Sequence, residues 1–182
     1  MSTTKWALDQ AHSEIQFKVR HLMVSWASGR FTKFNADVKS NGDDFTSAKI
    51  RFTAEVDSID TSNEQRDAHL KNNDFFDADN YPQITFESEK LVKVDEDSFK
   101  LHGTLTMRGT SKHVVLEVDF GGIMKDPWGN TRTGFTITGK INRKDFGISF
   151  GGLTEGGGLL LGDEVTINAN VEFVKELELQ PA

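Results

Sequence analysis

Apolar and polar residues alternate along most of this 182-residue chain. From Ala48 to Val56 the apolar set is Ala48, Ile50, Phe52, Ala54 and Val56, with Lys49, Arg51, Thr53 and Glu55 between them. A period of two sends successive side chains to opposite faces of a strand, so this segment has one wet and one apolar face. The alternation recurs in Ile15, Phe17, Val19; in Phe34, Ala36, Val38; and in Phe99, Leu101, Gly103, Leu105, Met107. It returns in Val114, Leu116, Val118, Phe120; in Phe135, Ile137, Gly139, Ile141; and in Val165, Ile167, Ala169, Val171, Phe173. A less regular run leads from Ile84 and Phe86 to Val94. About eight amphipathic strands is the count of a small up-and-down barrel.

The connectors between these runs are short. Asn41-Gly42-Asp43-Asp44, Asp95-Glu96-Asp97-Ser98 and Arg108-Gly109-Thr110 read as hairpin turns, and residues 125–130 as a longer polar one. None leaves room for a crossover helix, so the strands are antiparallel neighbours. Phe31 is out of phase with Phe34, which predicts a bulge near Thr32 and Lys33. Leu22, Met23 and Val24, with Trp26, suggest a helical turn between the second and third strands. The strong helix signal is Thr61 followed by Glu64, a capping box that predicts a helix over Asn63–Leu70. The aspartate-rich turn that follows carries Phe75, Phe76 and Tyr81. Such an insertion is suited to plug one open end of a barrel. No boundary or repeat divides the chain, so residues 1–182 are read as a single domain.

Composition narrows the function. The net charge is −7 and no basic block is present, which argues against nucleic acid as a partner. The absence of cysteine removes disulfides, thiolate metal sites and thiol nucleophiles together. No window approaches the roughly 20 apolar residues of a membrane-spanning helix, and the first residues lack the apolar stretch of a secretory signal. A cytoplasmic location is therefore expected, with a periplasmic or secreted one as the alternative if a signal was removed. Fourteen Phe against one Tyr predict an interior lined by purely apolar rings.

Motifs with catalytic associations fail on context. Gly147-Ile148-Ser149-Phe150-Gly151 spells a nucleophile elbow, but glycines follow where that motif requires a helix. The glycines at 156–158 lack the Lys-Ser or Lys-Thr of a phosphate loop. His12, His21, His69, His102 and His113 show no metal-ligand spacing, and inward Leu101, Gly103 and Val114 place His102 and His113 outward. The Arg66-Asp67-Ala68-His69-Leu70 segment has two readings: surface pairing of Arg66 with Asp67 or Asp74, or a polar rim at the mouth of an apolar cavity.

Taken in order, several motifs resemble the YceI-like family. They are Trp6, Leu8-Asp9, His12-Ser13, Ile15 to His21 in alternation, and Gly29-x-Phe31-x-x-Phe34. Ser58, Thr61, Arg66-Asp67-x-His69-Leu70, Phe75-Phe76-Asp77, Tyr81-Pro82 and Phe86-x-Ser88 continue the series. So do Gly103-x-Leu105-x-Met107-x-Gly109, Arg143, Phe146-Gly147 and Gly162-Asp163-x-Val165. The resemblance runs from Trp6 to about Phe173 and implies an extended lipocalin-like antiparallel barrel that binds polyisoprenoid or other long amphiphilic lipids.

The combined expectation is an all-β protein: an extended antiparallel eight-stranded lipocalin-like β-barrel with a short helical insertion. It binds a long-chain isoprenoid or fatty amphiphile for lipid transport, storage or sequestration, without catalysis, and with that lipid rather than a cofactor or metal. Expected tail contacts are inward Ile15, Phe17, Val19, Phe52 and Phe86, joined by Leu105, Phe135, Ile137 and Ile167. Arg66 and His69 are assigned to the head group. Gly103 and Gly139, inward in mid-strand, are expected to leave volume beside the rings, and Phe99, Phe120 and Phe173 to wall the same tunnel. The Trp26 or Phe31 region is a candidate homodimer contact. Two other classes fit the same pattern: an enzyme acting on a prenylated or quinone-like substrate with His69 as acid–base group, and a solid-cored, stress-related protein acting through its surface.

Overall fold

The computed structural model describes residues 3–22, 24–149 and 161–176, and within them the alternating runs are strands of one antiparallel sheet. The strands are β1 (Thr3–Leu8), β2 (Glu14–His21), β3 (Ser25–Phe31), β4 (Phe34–Asn41), β5 (Asp44–Glu55) and β6 (Ile59–Asp60). After helix α1 (Glu64–Lys71) come β7 (Gln83–Lys93), β8 (Ser98–Met107), β9 (Thr110–Lys125), β10 (Thr131–Asn142) and β11 (Leu161–Lys175).

These elements form eight walls, because three walls are each broken into two strands. Both β1 and β2 pair with the same edge of β11: Leu8 faces Phe173, and further along Ile15 faces Ala169. The chain between them makes a 3-10 turn, Gln10–His12. Likewise β3 runs on into β4 past Thr32 and Lys33, and β5 into β6 past the 3-10 turn Val56–Ser58. The β1–β11 pairing closes the ring. The lower part of this extended barrel is built from β1, β4 and β5 with β7 to β11. Above the breaks, β2, β3 and β6 carry the wall upward on one side only.

The breaks are held to one another. Ser58 Oγ donates to Glu55 O at 2.7 Å and to Lys33 O at 3.3 Å, and Thr32 N donates to Ser58 O at 3.1 Å. Ser13 Oγ donates to Asp9 O at 2.7 Å and accepts from Glu172 N at 3.1 Å. Irregularity at Thr32 and Lys33 resets the side-chain phase, so Phe31 and Phe34 are both buried. Phe31 is therefore unavailable as a dimer contact.

Two further expectations change. Residues around Leu22 and Val24 form a tight turn, not a helical one, and Trp26 lies within β3. Helix α1 is capped by Asn63, whose side chain accepts from Arg66 N at 3.0 Å. Thr61 instead donates to Asp67 Oδ1 from its backbone N at 2.9 Å and its hydroxyl at 2.5 Å. The side chain nearest the helical N–H groups wins, and Asn63 is the nearer.

The Phe surplus divides between two jobs. At the lower end, Phe45 stands 5.5 Å from Trp6, 5.6 Å from Phe120 and 5.2 Å from Phe135, measured between ring centroids. Phe120 also meets Phe99 at 6.4 Å, and Phe135 meets Phe173 at 6.1 Å. These rings close the barrel floor with edge-to-face and offset contacts. Phe99 and Phe120 are thus part of a solid plug and not of a tunnel wall.

The inward glycines do not leave empty space either. A Cβ on Gly103 would stand 2.4 Å from Phe86 Cζ and 2.5 Å from Glu87 O, and one on Gly139 would stand 2.3 Å from Leu116 Cδ2. Neighbouring side chains fill the volume that the missing Cβ frees, as close packing demands.

Candidate functional site

Above the ring plug, the barrel holds an apolar cavity of about 140 Å³. Its wall is wholly apolar and includes Ile15, Ile50, Phe52, Phe86, Leu105, Val114, Leu116, Phe135, Ile137 and Ile167. Several of these point inward yet remain only partly buried, because their free surface faces this lumen and not solvent outside. An apolar cavity of roughly 150 Å³ stays dry and accepts apolar guests in other proteins.

A second chamber of about 330 Å³ lies at the upper end. It is lined by Phe17, Val19, His21, Ala27, Ser28, Thr61, Arg66, His69, Leu70, Phe75, Phe76, Arg143, Leu161 and Val165. Along β2, Ile15 of the lumen is followed in phase by Phe17 and Val19 of the upper chamber. Along β11, Ile167 is followed by Val165. The two chambers therefore stack along shared strands, with Phe17 where they meet. Its ring lies 5.5 Å from that of Phe31 and against Gly29, where a Cβ would come within 2.6 Å of Phe17 Cζ.

Helix α1 and the turn after it cover the side of the upper chamber that β6 is too short to wall. The turn is fixed by Ala78 N to Lys71 O at 2.8 Å and Phe76 N to Leu70 O at 3.0 Å. Arg108, at the tip of the β8–β9 hairpin, donates to Asn73 O at 2.8 Å and to Gly147 O at 2.6 Å. That fork ties the insertion to the segment after β10. Phe75 is buried and Phe76 half-buried, the latter at 6.2 Å from Phe31.

Among the described residues, all charged or titratable groups lining the upper chamber are basic: Arg66, Arg143, His21 and His69. Arg66 donates through Nε to Thr61 Oγ1 at 2.8 Å and through Nη2 to Thr61 O at 2.6 Å, so it pairs with neither Asp67 nor Asp74. Asp74 is instead within 2.8 Å of His69 Nε2. Arg143 is buried, with Nε donating to Gly162 O at 2.8 Å and Nη1 to Ile148 O at 2.9 Å. Burial pulls its guanidinium below the ordinary arginine range, against the attraction of Asp163.

Of the residues picked from the sequence, Ile15, Phe52, Phe86, Leu105, Phe135, Ile137 and Ile167 line the lumen. Phe17, Val19, Arg66 and His69 line the upper chamber. The selection missed His21 and Arg143 as lining groups. Both continue an inward register, His21 after Ile15, Phe17 and Val19, and Arg143 after Phe135, Ile137, Gly139 and Ile141, so extending the phase past the last apolar residue finds them.

The remaining histidines stand elsewhere. His102 Nδ1 lies 3.4 Å from His113 Nε2 on the outer wall, and His113 Nδ1 lies 3.2 Å from Glu89. His12 meets Asp9 and Glu172, a trio whose donor atoms fall within 4.8 Å of one another. Arg132 already occupies that carboxylate pair, at 2.7 Å from Asp9 and 2.8 Å from Glu172. The Gly147–Gly151 motif turns at Gly147, but Phe150, Gly151 and the glycines at 156–158 lie outside the described residues. Among the described residues no helix is long and apolar enough to cross a membrane.

Comparisons with known proteins agree with the architecture. The model of the YceI-like domain matches residues 6–173. The UPF0312 protein SERP2314 of Staphylococcus epidermidis is 40% identical over 171 residues, covering 93% of this chain and 97% of the relative. The crystal structure of Burkholderia cenocepacia BcnA superposes with a TM-score of 0.79 at 24% identity, over 91% of this chain and 98% of that one. A domain from Saccharophagus degradans, described as polyisoprenoid-binding and implicated in plant cell wall breakdown, superposes with a TM-score of 0.72 at 13% identity, over 94% and 98%. At those identities the two structures establish the likeness of fold alone.

Proposed function

We propose that this chain, which belongs to the YceI-like family, is a non-enzymatic carrier or sequestering protein for a long-chain isoprenoid or fatty amphiphile. The observation that carries this reading is the pair of stacked chambers: a wholly apolar lumen beneath an upper chamber whose titratable lining, among the described residues, is basic. A ligand with an apolar chain and one polar end matches that gradient. The tail contacts are Ile15, Phe17, Val19, Phe52, Phe86, Leu105, Phe135, Ile137 and Ile167. Arg66 and His69 meet the head group. The polyisoprenoid-binding description of the Saccharophagus degradans domain supports the ligand class, within the limits of a shared fold.

Energetics suit a carrier. Burying some sixteen carbons at ~0.8 kcal/mol each gives ~13 kcal/mol gross. Association and ordering cost ~4–15 kcal/mol, so the tail alone yields modest net affinity and release stays feasible. Polar contacts at the mouth then choose between ligands of equal tail length.

The deciding experiment is solvent extraction of the purified full chain followed by mass spectrometry. Recovery of a long-chain lipid near one mole per mole is the expected result. A lipid-free protein that also fails to take up added prenyl and fatty lipids would overturn the proposal.

A further inference from the structure

The β2–β3 hairpin combines a stretch without acidic residues and an exposed apolar tip. Residues 15–36 contain Lys18, Arg20, Arg30 and Lys33 and no Asp or Glu, within a chain of net charge −7. At its tip Leu22 is 39% exposed and Val24 80%, and Trp26 beside them is 46% exposed. Lys18 Nζ lies 4.7 Å and Arg20 Cζ 4.4 Å from the Trp26 ring centroid, so the cations sit against the indole on the outer face. Arg30, further down, also reaches Asp60 at 3.3 Å.

We propose that this hairpin docks on an anionic lipid bilayer, with Leu22 and Val24 entering the headgroup–acyl boundary and Trp26, Lys18 and Arg20 at the headgroup level. Small apolar tips insert shallowly, indole rings settle at the membrane interface, and flanking cations bind the anionic surface. Charge complementarity selects this occupant over a second copy of the chain, since a two-fold contact would set the cations of one tip against those of the other. Exposure alone does not make the case. Met124 and Trp128 are exposed to a degree similar to Val24, but they lie by the closed floor, where Asp9, Asp126 and Glu172 surround Arg132.

Position gives the docking a purpose. The inner face of the same hairpin supplies Val19, His21 and Ala27 to the upper chamber. Seating the tip on a bilayer brings that chamber to the lipid surface, and an apolar chain moves between the two without crossing bulk water. This consequence rests on the lumen reading above, whereas the docking does not.

Co-sedimentation of the full chain with vesicles tests it. Binding to phosphatidylglycerol–phosphatidylcholine vesicles is expected to exceed binding to phosphatidylcholine alone and to fall with added salt. Lys18→Glu with Arg20→Glu lowers partitioning at least roughly tenfold, since each cation near an anionic surface is worth about fivefold. Leu22→Ser with Val24→Ser lowers it as well, and because these sites are exposed, melting curves stay close to the parent's. Equal binding to both vesicle types, binding by the charge-reversed variant at the parent level, or a tip variant that changes only the association state would each overturn the docking. Lipid loading reads out separately: a parent protein that docks but neither yields lipid nor takes up added prenyl and fatty lipids refutes the carrier reading alone, and one that carries lipid but ignores anionic vesicles refutes the docking alone.

Discussion

The Arg132 guanidinium lies 2.7 Å from the Asp9 carboxylate, across 123 residues of sequence. The same side chain reaches Asp126 and Glu172, each at 2.8 Å. It fastens the break between β1 and β2 to the β9–β10 turn and to β11, where the broken and unbroken walls of the barrel meet.

This cluster has a pH signature. Hydrogen bonding to Arg132 is the leading cause that holds the Asp9 and Asp126 carboxyls at about 2, with His12 assisting at Asp9. Their unfolded values are ~3.9, so the stabilisation is complete above that range and is lost as pH falls through about 2. Arg132→Ala is expected to lower the melting temperature by a few degrees at neutral pH. The gap between parent and variant should shrink between pH 4 and 2. Melting curves across that range check it, and a gap independent of pH would refute the role given to Arg132.

The two inward glycines should tolerate alanine unequally. At Gly139 a new Cβ meets the flexible end of Leu116, whereas at Gly103 it meets both the Phe86 ring and the Glu87 carbonyl. Gly103→Ala is expected to cost about 1–3 kcal/mol as an overpacked site, and Gly139→Ala less. Urea titrations of both variants give the ranking directly, and the reverse order would contradict the packing described.

Leu105 is buried on the lumen wall. Leu105→Lys places an ammonium without a partner in an apolar cavity, so either ligand retention or the fold fails. Val114→Phe, at a half-buried lining position, narrows the lumen while keeping it apolar. It should fold with a stability cost of about 1–3 kcal/mol and yield less extracted lipid. A Leu105→Lys protein that keeps both stability and ligand would place that side chain outside.

Arg66 and His69 are separable in a lipid titration. Arg66→Ala removes a cation held at the chamber by Thr61, and His69→Ala removes the ring that Asp74 orients. Arg66→Ala is expected to weaken binding of a lipid with a polar head by roughly tenfold or more, in line with the ~1.5–3 kcal/mol of a charge-assisted hydrogen bond, His69→Ala to weaken it less, and both to leave binding of the bare hydrocarbon tail unchanged. Unaltered affinity in both variants would remove the head-group assignment.

The strands were legible because alternation is local: each residue's face follows from its neighbour two positions away. The breaks were less so. Ala54 and Val56 continue one inward series, and nothing in it announces the 3-10 turn at Val56–Ser58, which is set by Ser58 bonding to Lys33 O and Glu55 O. His21 and Arg143 were within reach, since both extend an inward phase. Their polarity hid them from a search for apolar residues.

What the sequence determined by itself was the inward or outward face of the strand residues, the antiparallel order and the place of the helix. Only the tertiary structure decided which inward volume is filled and which is empty. Gly103 and Gly139 read as gaps on a line of text, yet Phe86 and Leu116 lie across them, and the open space falls instead above the Phe45 plug. Facing depends on one strand, whereas filling depends on side chains from several strands meeting at one point, and no local pattern records that meeting.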